Sequence, residues 1–194
     1  MGGVKQRILE AAESLYTEDG AAGLSMRKVA KRANVSTMAS YRHFENKRAL
    51  LHHLQVRGFA VYASLQEAIP PSPDPWATVR ESTRAYIRFA LEHPEYFKIA
   101  FMATDELGEL KGLTEKGRAV IEGTFQRPVA WLIAAGVPAE HAQAEVVRAW
   151  AVMHGLVALH LAHRLDFLQV DDFEAFAMAE MDRVCLEMRA RYAL

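Results

Sequence analysis

Apolar residues in this chain return every three or four positions almost from end to end, the spacing that lines one face of an α-helix. Val4, Ile8, Ala11, Ala12 and Leu15 open the pattern, and Gly20 and Gly23 interrupt it just after Glu18 and Asp19. Ser25 then has the chemistry of an N-cap for a short helix through Met26, Val29 and Ala30 to about Ala33. Asn34 follows as a residue that tolerates the left-handed backbone of a tight turn, and Val35 is its apolar plug. Ser36 caps a third helix through Tyr41 to about Phe44, and Asn46 caps a longer fourth one striped by Leu50, Leu51, Leu54, Val61 and Leu65.

Four prolines within 70–75 then exclude a helix, and Asp74-Pro75 reads as an N-cap followed by proline at the first helical position. Helical spacing resumes over 76–92, 94–102, 113–135, 138–163 and 172–192, with Pro128 expected to kink the third of these stretches. No strand-like alternation, repeat or low-complexity tract is present in the sequence. The expectation is an all-α fold: a three-helix amino-terminal unit over 1–54, its fourth helix continuing to about 66, and a helical body over 74–194.

Composition changes this picture little, since half the residues being apolar is ordinary for a globular chain. Charge changes it more. The first 60 residues hold ten Lys and Arg against five Asp and Glu, a balance of +5; the rest hold thirteen against nineteen, a balance of −6, and the two sum to the overall −1. A basic third on an acidic remainder suits a module that meets a polyanion, although charge alone does not separate this from uneven clustering. The charged first residues argue against a secretory signal, and the apolar run from Ala149 to Leu161 is read as a buried helix rather than a membrane span. The single cysteine, Cys185, fits a reducing cytoplasm.

Three short helices with a tight turn before the third make a helix-turn-helix, whose second helix of the pair enters the major groove. Thr37, Met38 and Ala39 at the start of the third helix suit hydroxyl contacts and thymine methyls, while Tyr41, Arg42, His43 and Lys47 suit phosphates. The same residues also fit a solvated surface helix of a bundle. The stretch from Arg7 to Leu54 resembles the amino-terminal domain of the tetracycline-repressor (TetR) family over its whole length. The matching pieces are Ala11-Ala12, Leu15-Tyr16, Gly20, Leu24-Ser25-Met26-Arg27, Val29-Ala30, Val35-Ser36, Tyr41-Arg42-His43-Phe44, Asn46-Lys47 and Leu50-Leu51. The resemblance places Ser36 to Ala39 on the recognition helix, gives Tyr41, His43 and Lys47 to phosphates, and puts Arg27 where some members reach a base edge. With Ser25 and Arg42 these form the expected contacts to double-stranded operator DNA. Met38, Ala39 and Ser40 depart from the Gly-Thr-apolar run of many members, which leaves the operator sequence open and weakens the inner face of the recognition helix at Ser40.

In the body, Trp150, His154 and Gly155 resemble a Trp-x-x-x-His-Gly pattern of one subgroup. Apolar stripes mark the last two long helices: Val146, Ala149, Met153, Val157 and Leu161, then Phe173, Ala177, Met181, Val184 and Met188. By resemblance these helices form a four-helix dimer contact between two copies, core packing being the other reading. The middle helices imply an apolar pocket for a small hydrophobic effector, with Tyr86, Phe89, Phe97, Met102, Trp131 and His154 as its expected lining. His160, His163 and Asp166 lack an evident further ligand, so no metal is expected, and no cofactor or catalytic motif is implied. The function expected is that of a cytoplasmic, homodimeric regulator, a repressor released by its effector; an activator of the same fold and a small helical metal protein or enzyme are the alternatives.

Overall fold

A computed structural model of the chain describes residues 3–102, 114–168 and 170–194. The helices, in order, are α1 (Val4–Gly23), α2 (Met26–Arg32), α3 (Thr37–His43), α4 (Lys47–Glu67), α5 (Pro75–Glu92) and α6 (Pro94–Phe97). A π-helical turn (Lys98–Met102) follows, then α7 (Glu115–Ala134), α8 (Ala139–Leu161), a short 3-10 turn (Asp166–Leu168) and α9 (Phe173–Tyr192). The all-α fold is as expected, and no strand occurs among the described residues. The expected start of the α7 stretch at Leu113 lies outside the described residues; its end and those of its neighbours fall within a few residues of expectation. The chain divides into two compact units, Met1–Ala60 with Glu95–Ile121, and Val61–Pro94 with Glu122–Leu194.

In the first unit, α1 lays Ile8, Ala11, Ala12, Leu15 and Tyr16 into a core shared with Leu24, Met26, Val29, Phe44, Leu50, Leu51 and Leu54. Gly20 (φ 64°, ψ −168°) leaves the helical region inside α1, a conformation that a residue without Cβ takes at little cost. Ile99 joins the same core and Tyr96 packs on it, so α6 and the π turn belong to this unit. The α4 stripe turns out to rotate along the helix. Leu50, Leu51 and Leu54 are buried as expected, but beyond them the sealed positions are Phe59, Tyr62 and Gln66, while Val61 and Leu65 are only half-buried. The spacing 51, 55, 59, 62 and 66 keeps one face inward, and the amphipathic tyrosine and glutamine hide that face from a purely apolar reading.

In the second unit, Asp74 caps α5 by accepting from the Trp76 N–H at 2.9 Å, with Pro75 at the first helical position. Asp172 caps α9 in the same way, from the Ala175 N–H at 2.9 Å. Helices α5, α8 and α9 pack against one another. One patch of their core joins Leu132, Val137, Ala142 and Met188 to Trp76, Val79, Val146 and Tyr192. Polar ties lock α9 in place: Arg80 grips Asp182 through two hydrogen bonds of 2.9 and 3.1 Å, and Arg84 and Arg88 share Glu174. The buried Glu145 of α8 accepts from Arg148, Arg191 and Tyr192. Burial works to raise its pKa, but the hydrogen bonds from Tyr192 and Arg191 and the charge of Arg148 outweigh it and hold the carboxyl below its ordinary value.

This packing covers most of the expected dimer stripe within the chain itself. Met153, Val157, Phe173, Ala177, Met181 and Met188 are buried within one chain, and Val146, Ala149, Leu161 and Val184 are half-buried on the same faces. The physical reason is that the broadest apolar face of an amphipathic helix is claimed first by its own core. The outward faces of α8 and α9 carry a second, weaker apolar set: Val147 (53% exposed), Val152 (44%), Leu159 (45%) and Leu186 (62%). Helix α8 is long and apolar enough to cross a membrane by length and composition, because both of its faces are apolar.

Candidate functional site

The turn between α2 and α3 is built as the sequence requires. Ser25 Oγ accepts from the Lys28 N–H at 3.3 Å and Ser36 Oγ from the Ala39 N–H at 3.1 Å, so each helix starts on a side-chain cap. Asn34 takes a φ of 52°, and the Val35 N–H donates to the Ala30 carbonyl at 3.0 Å, closing the helix end. Arg7 of α1 donates to the Ala33 carbonyl at 3.4 Å and fixes the turn from below. Ser40 is sealed, and its hydroxyl donates to the Thr37 carbonyl at 2.7 Å, so the inner face of α3 accommodates a polar residue without an unmet group.

What α3 leaves outside is Thr37, Met38 (73% exposed), Tyr41 (47%) and Arg42, flanked by Ser36 and His43. Ala39, expected on the same face, is 8% exposed. On α2, Lys28 pairs with Asp19 and Arg32 with Glu18, whereas Arg27 is exposed and forms no ion pair among the described residues. Lys47 stands half-buried at the first position of α4, whose Asn46 cap accepts from the Ala49 N–H at 2.8 Å. The exposed face therefore combines the large apolar side chain of Met38, the hydroxyls of Ser36, Thr37 and Tyr41, and the guanidinium groups of Arg27 and Arg42. That is the mixture for base-edge and phosphate contacts.

The expected effector residues divide between the units. Phe97 is buried and Met102 is 43% exposed, both in the first unit; Tyr86, Phe89, Trp131 and His154 are in the second. There, Tyr86 is the centre of a relay. Trp150 Nε1–H donates to the Tyr86 hydroxyl at 2.9 Å, and that hydroxyl lies 2.9 Å from His154 Nδ1. A hydroxyl that receives the tryptophan proton is placed to give its own to His154, which makes Nδ1 the acceptor of a neutral imidazole. Burial holds His154 below the ordinary histidine range, in keeping with that tautomer, and burial pushes Tyr86 up.

Around this relay, Tyr62 meets the rings of Tyr86 at 5.5 Å and Phe89 at 5.4 Å, and Trp150 meets Phe125 at 5.5 Å. The buried Gln66 donates to the Thr124 carbonyl at 3.1 Å. Trp131, half-buried on α7, joins none of these rings among the described residues. Tyr62, Gln66, Thr124, Phe125 and Trp150 were outside the expected effector set. The Trp150–His154 pair was visible as an i, i+4 spacing that puts both on one helix face. The partners from α4 and α7 carry no local signal of that kind.

Elsewhere His160 stacks on Phe173 at 3.9 Å, and His163 lies 3.3 Å from Asp166. No group of three or more possible metal ligands occurs among the described residues.

The profile of bacterial regulatory proteins of the tetR family matches residues 8–54, and that of the tetracyclin repressor-like C-terminal domain matches residues 79–184. The tetracycline repressor protein class A from transposon 1721 of Escherichia coli is 30% identical over 132 residues, which are 68% of this chain and 55% of that protein. The chain spans between 53 and 58% of the length of the curated relatives it matches. Among solved structures, a protein of unknown function from Rhodococcus sp. RHA1 is similar with a TM-score of 0.76 and 25% identity, over 95% of this chain and 94% of that one. The multidrug binding protein EbrR, solved in complex with imidazole, is similar with a TM-score of 0.60 and 26% identity, over 95% and 96%.

Proposed function

Because the chain belongs to the tetR family of bacterial regulatory proteins, we propose that it is a repressor that holds a pseudo-palindromic operator as a homodimer and lets go when a small hydrophobic effector binds. In this reading residues 1–54 are the DNA-binding domain, α4 carries it on to about 66, and 74–194 bind the effector and dimerise. The protein works where the DNA is, in the cytoplasm. The observation that carries the reading is the exposed face of α3, with Met38 and Tyr41 outward, on a turn fixed by two serine caps and a core beneath.

Each copy supplies one recognition helix, and two such helices about 34–36 Å apart enter successive major grooves. An effector that binds better to a dimer of another spacing shifts the population away from DNA. The aromatic set around Tyr86, Phe89 and His154 supports such a ligand, as does the similarity to a protein that binds imidazole. For the dimer, the outward faces of α8 and α9 with Val147, Val152, Leu159 and Leu186 replace the inward stripe.

The test separates reading from holding. DNA fragments retained by the protein from its own genome supply the operator, and Arg27→Ala and Lys47→Ala are then measured on operator, single-base variants and random duplex across a salt series. Lys47→Ala weakens all duplexes alike and lowers the salt slope by about one counterion. Arg27→Ala costs about 1–3 kcal/mol on the operator and relaxes preference at one base pair per half-site. No retained fragment above the random background refutes the regulator reading, and a uniform loss for Arg27→Ala refutes its base-reading role.

A further inference from the structure

We propose that Gln55 is the polar anchor of an effector-binding site within the first unit, where its buried amide oxygen accepts a hydrogen bond from the hydroxyl or ring N–H of an uncharged aromatic ligand. This deepens the effector reading above and rests on it.

Gln55 lies on α4 in the first unit and is 8% exposed. Its Oε1 is the one buried side-chain nitrogen or oxygen without a hydrogen-bond partner among the described residues. The amide is oriented by its other end, where Nε2–H donates to the Ala100 carbonyl at 3.5 Å. A flipped amide would set oxygen against oxygen there, so the acceptor is the end left unmet. Buried polar groups are almost always paired, and an exception in a native fold points to a missing partner. That partner must donate, which excludes a carboxylate or phosphate at this point.

The surroundings set the rest of the ligand. Phe59 is one helical turn from Gln55 on the same face of α4, and it meets Phe101 edge to face at 5.0 Å. Phe97 lies 5.3 Å from Phe101, and Ile99 is sealed beside them. Apart from the buried His52, one turn before Gln55, these neighbours offer rings and aliphatic carbon, so a charged ligand would lose its hydration with little compensation. Ala100 and Phe101 sit in the π-helical turn, a geometry less stable than an α-helix and frequent at functional sites. Its two ends, Lys98 and Met102, are exposed, while Ile99 (1%) and Ala100 (8%) between them are buried, so its rearrangement opens a way from the surface to Gln55. Just before it, the Tyr96 hydroxyl donates to Glu13 of α1, which also pairs with Arg57 of α4 at 2.9 Å. A ligand that shifts the π turn therefore pulls on α1, in the unit that carries the recognition helix.

The test uses calorimetry on the full chain with matched probes, phenol against anisole and indole against 1-methylindole, each pair differing in its hydrogen-bond donor. The parent binds phenol and indole about tenfold or more tighter than their methylated partners. Gln55→Leu brings each pair to within about twofold while still binding the methylated probes. Gln55→Met, of closer shape, gives the same result and guards against a Gln55→Leu chain that fails to fold. Equal binding within each pair by the parent, a preference kept in both variants, or no binding of any probe overturns the assignment. Operator retention is followed alongside. A parent released by some other compound but indifferent to the donor refutes the Gln55 anchor and leaves the repressor reading intact. A parent that prefers phenol through Gln55 yet keeps its operator supports the anchor and refutes release from this site.

Discussion

Replacing Leu159 and Leu186 together with glutamate turns the proposed homodimer into folded monomers. Leu186 is 62% exposed in the single chain and Leu159 is 45% exposed, so each has about half its surface left to bury against a partner. Full burial of a leucine side chain is worth about 1.5–3 kcal/mol, so these fractions give about 1.6–3.2 kcal/mol per copy. A twofold contact counts them twice, about 3–6 kcal/mol per dimer, before any repulsion between the new carboxylates. At about 1.4 kcal/mol per decade this weakens dimerisation by about two to four and a half orders of magnitude. The chain itself is little affected, since neither side chain belongs to the core. The contrast is Val157 and Met181, 0% and 2% exposed, where paired glutamates place charges in the core of each copy and unfold it. Sedimentation velocity against concentration, with circular dichroism of the same samples, reads both outcomes. A Leu159→Glu, Leu186→Glu chain that sediments as a dimer at micromolar concentration puts the interface elsewhere. A well-folded monomer from Val157→Glu, Met181→Glu refutes the inward placement of that stripe.

Two further outcomes test the local chemistry. Ser36→Ala removes the cap at the Ala39 N–H and lowers stability by about 1 kcal/mol, or about 2–4 °C in Tm, while Ser36→Gly costs a few tenths; equal costs would refute capping as the role of the hydroxyl. His154 is held below the ordinary histidine range by burial, so as pH falls below about 6.5 the unfolded chain takes up a proton that the folded chain resists, and stability drops. His154→Gln therefore loses less Tm than the parent between about pH 7.5 and 5.5, with His160 shifted in the same direction in both proteins; equal losses refute the assignment.

Local chemistry alone determined the helix-turn-helix. Ser25, Asn34, Ser36 and Asn46 act on backbone groups within three or four residues, so their types and spacing specify caps and a turn wherever the chain folds. The exposed side chains of α2 and α3 were legible for the same reason, since helical period and polarity say which positions face out. Tertiary packing decided what period and polarity leave open. Ala39 is small enough to sit on either side of α3, and only the folded chain shows it buried. Helix α8 is apolar on two faces, and a pattern with two candidate faces does not say which one the chain's own core takes; α5 and α9 took the one with Met153 and Val157. Gln55, Tyr62 and Gln66 stand outside the apolar stripe read on α4, because a polar side chain is recognisable as buried only when its neighbours are known. Those neighbours come from 24 to 58 residues away along the chain, beyond the reach of any local pattern.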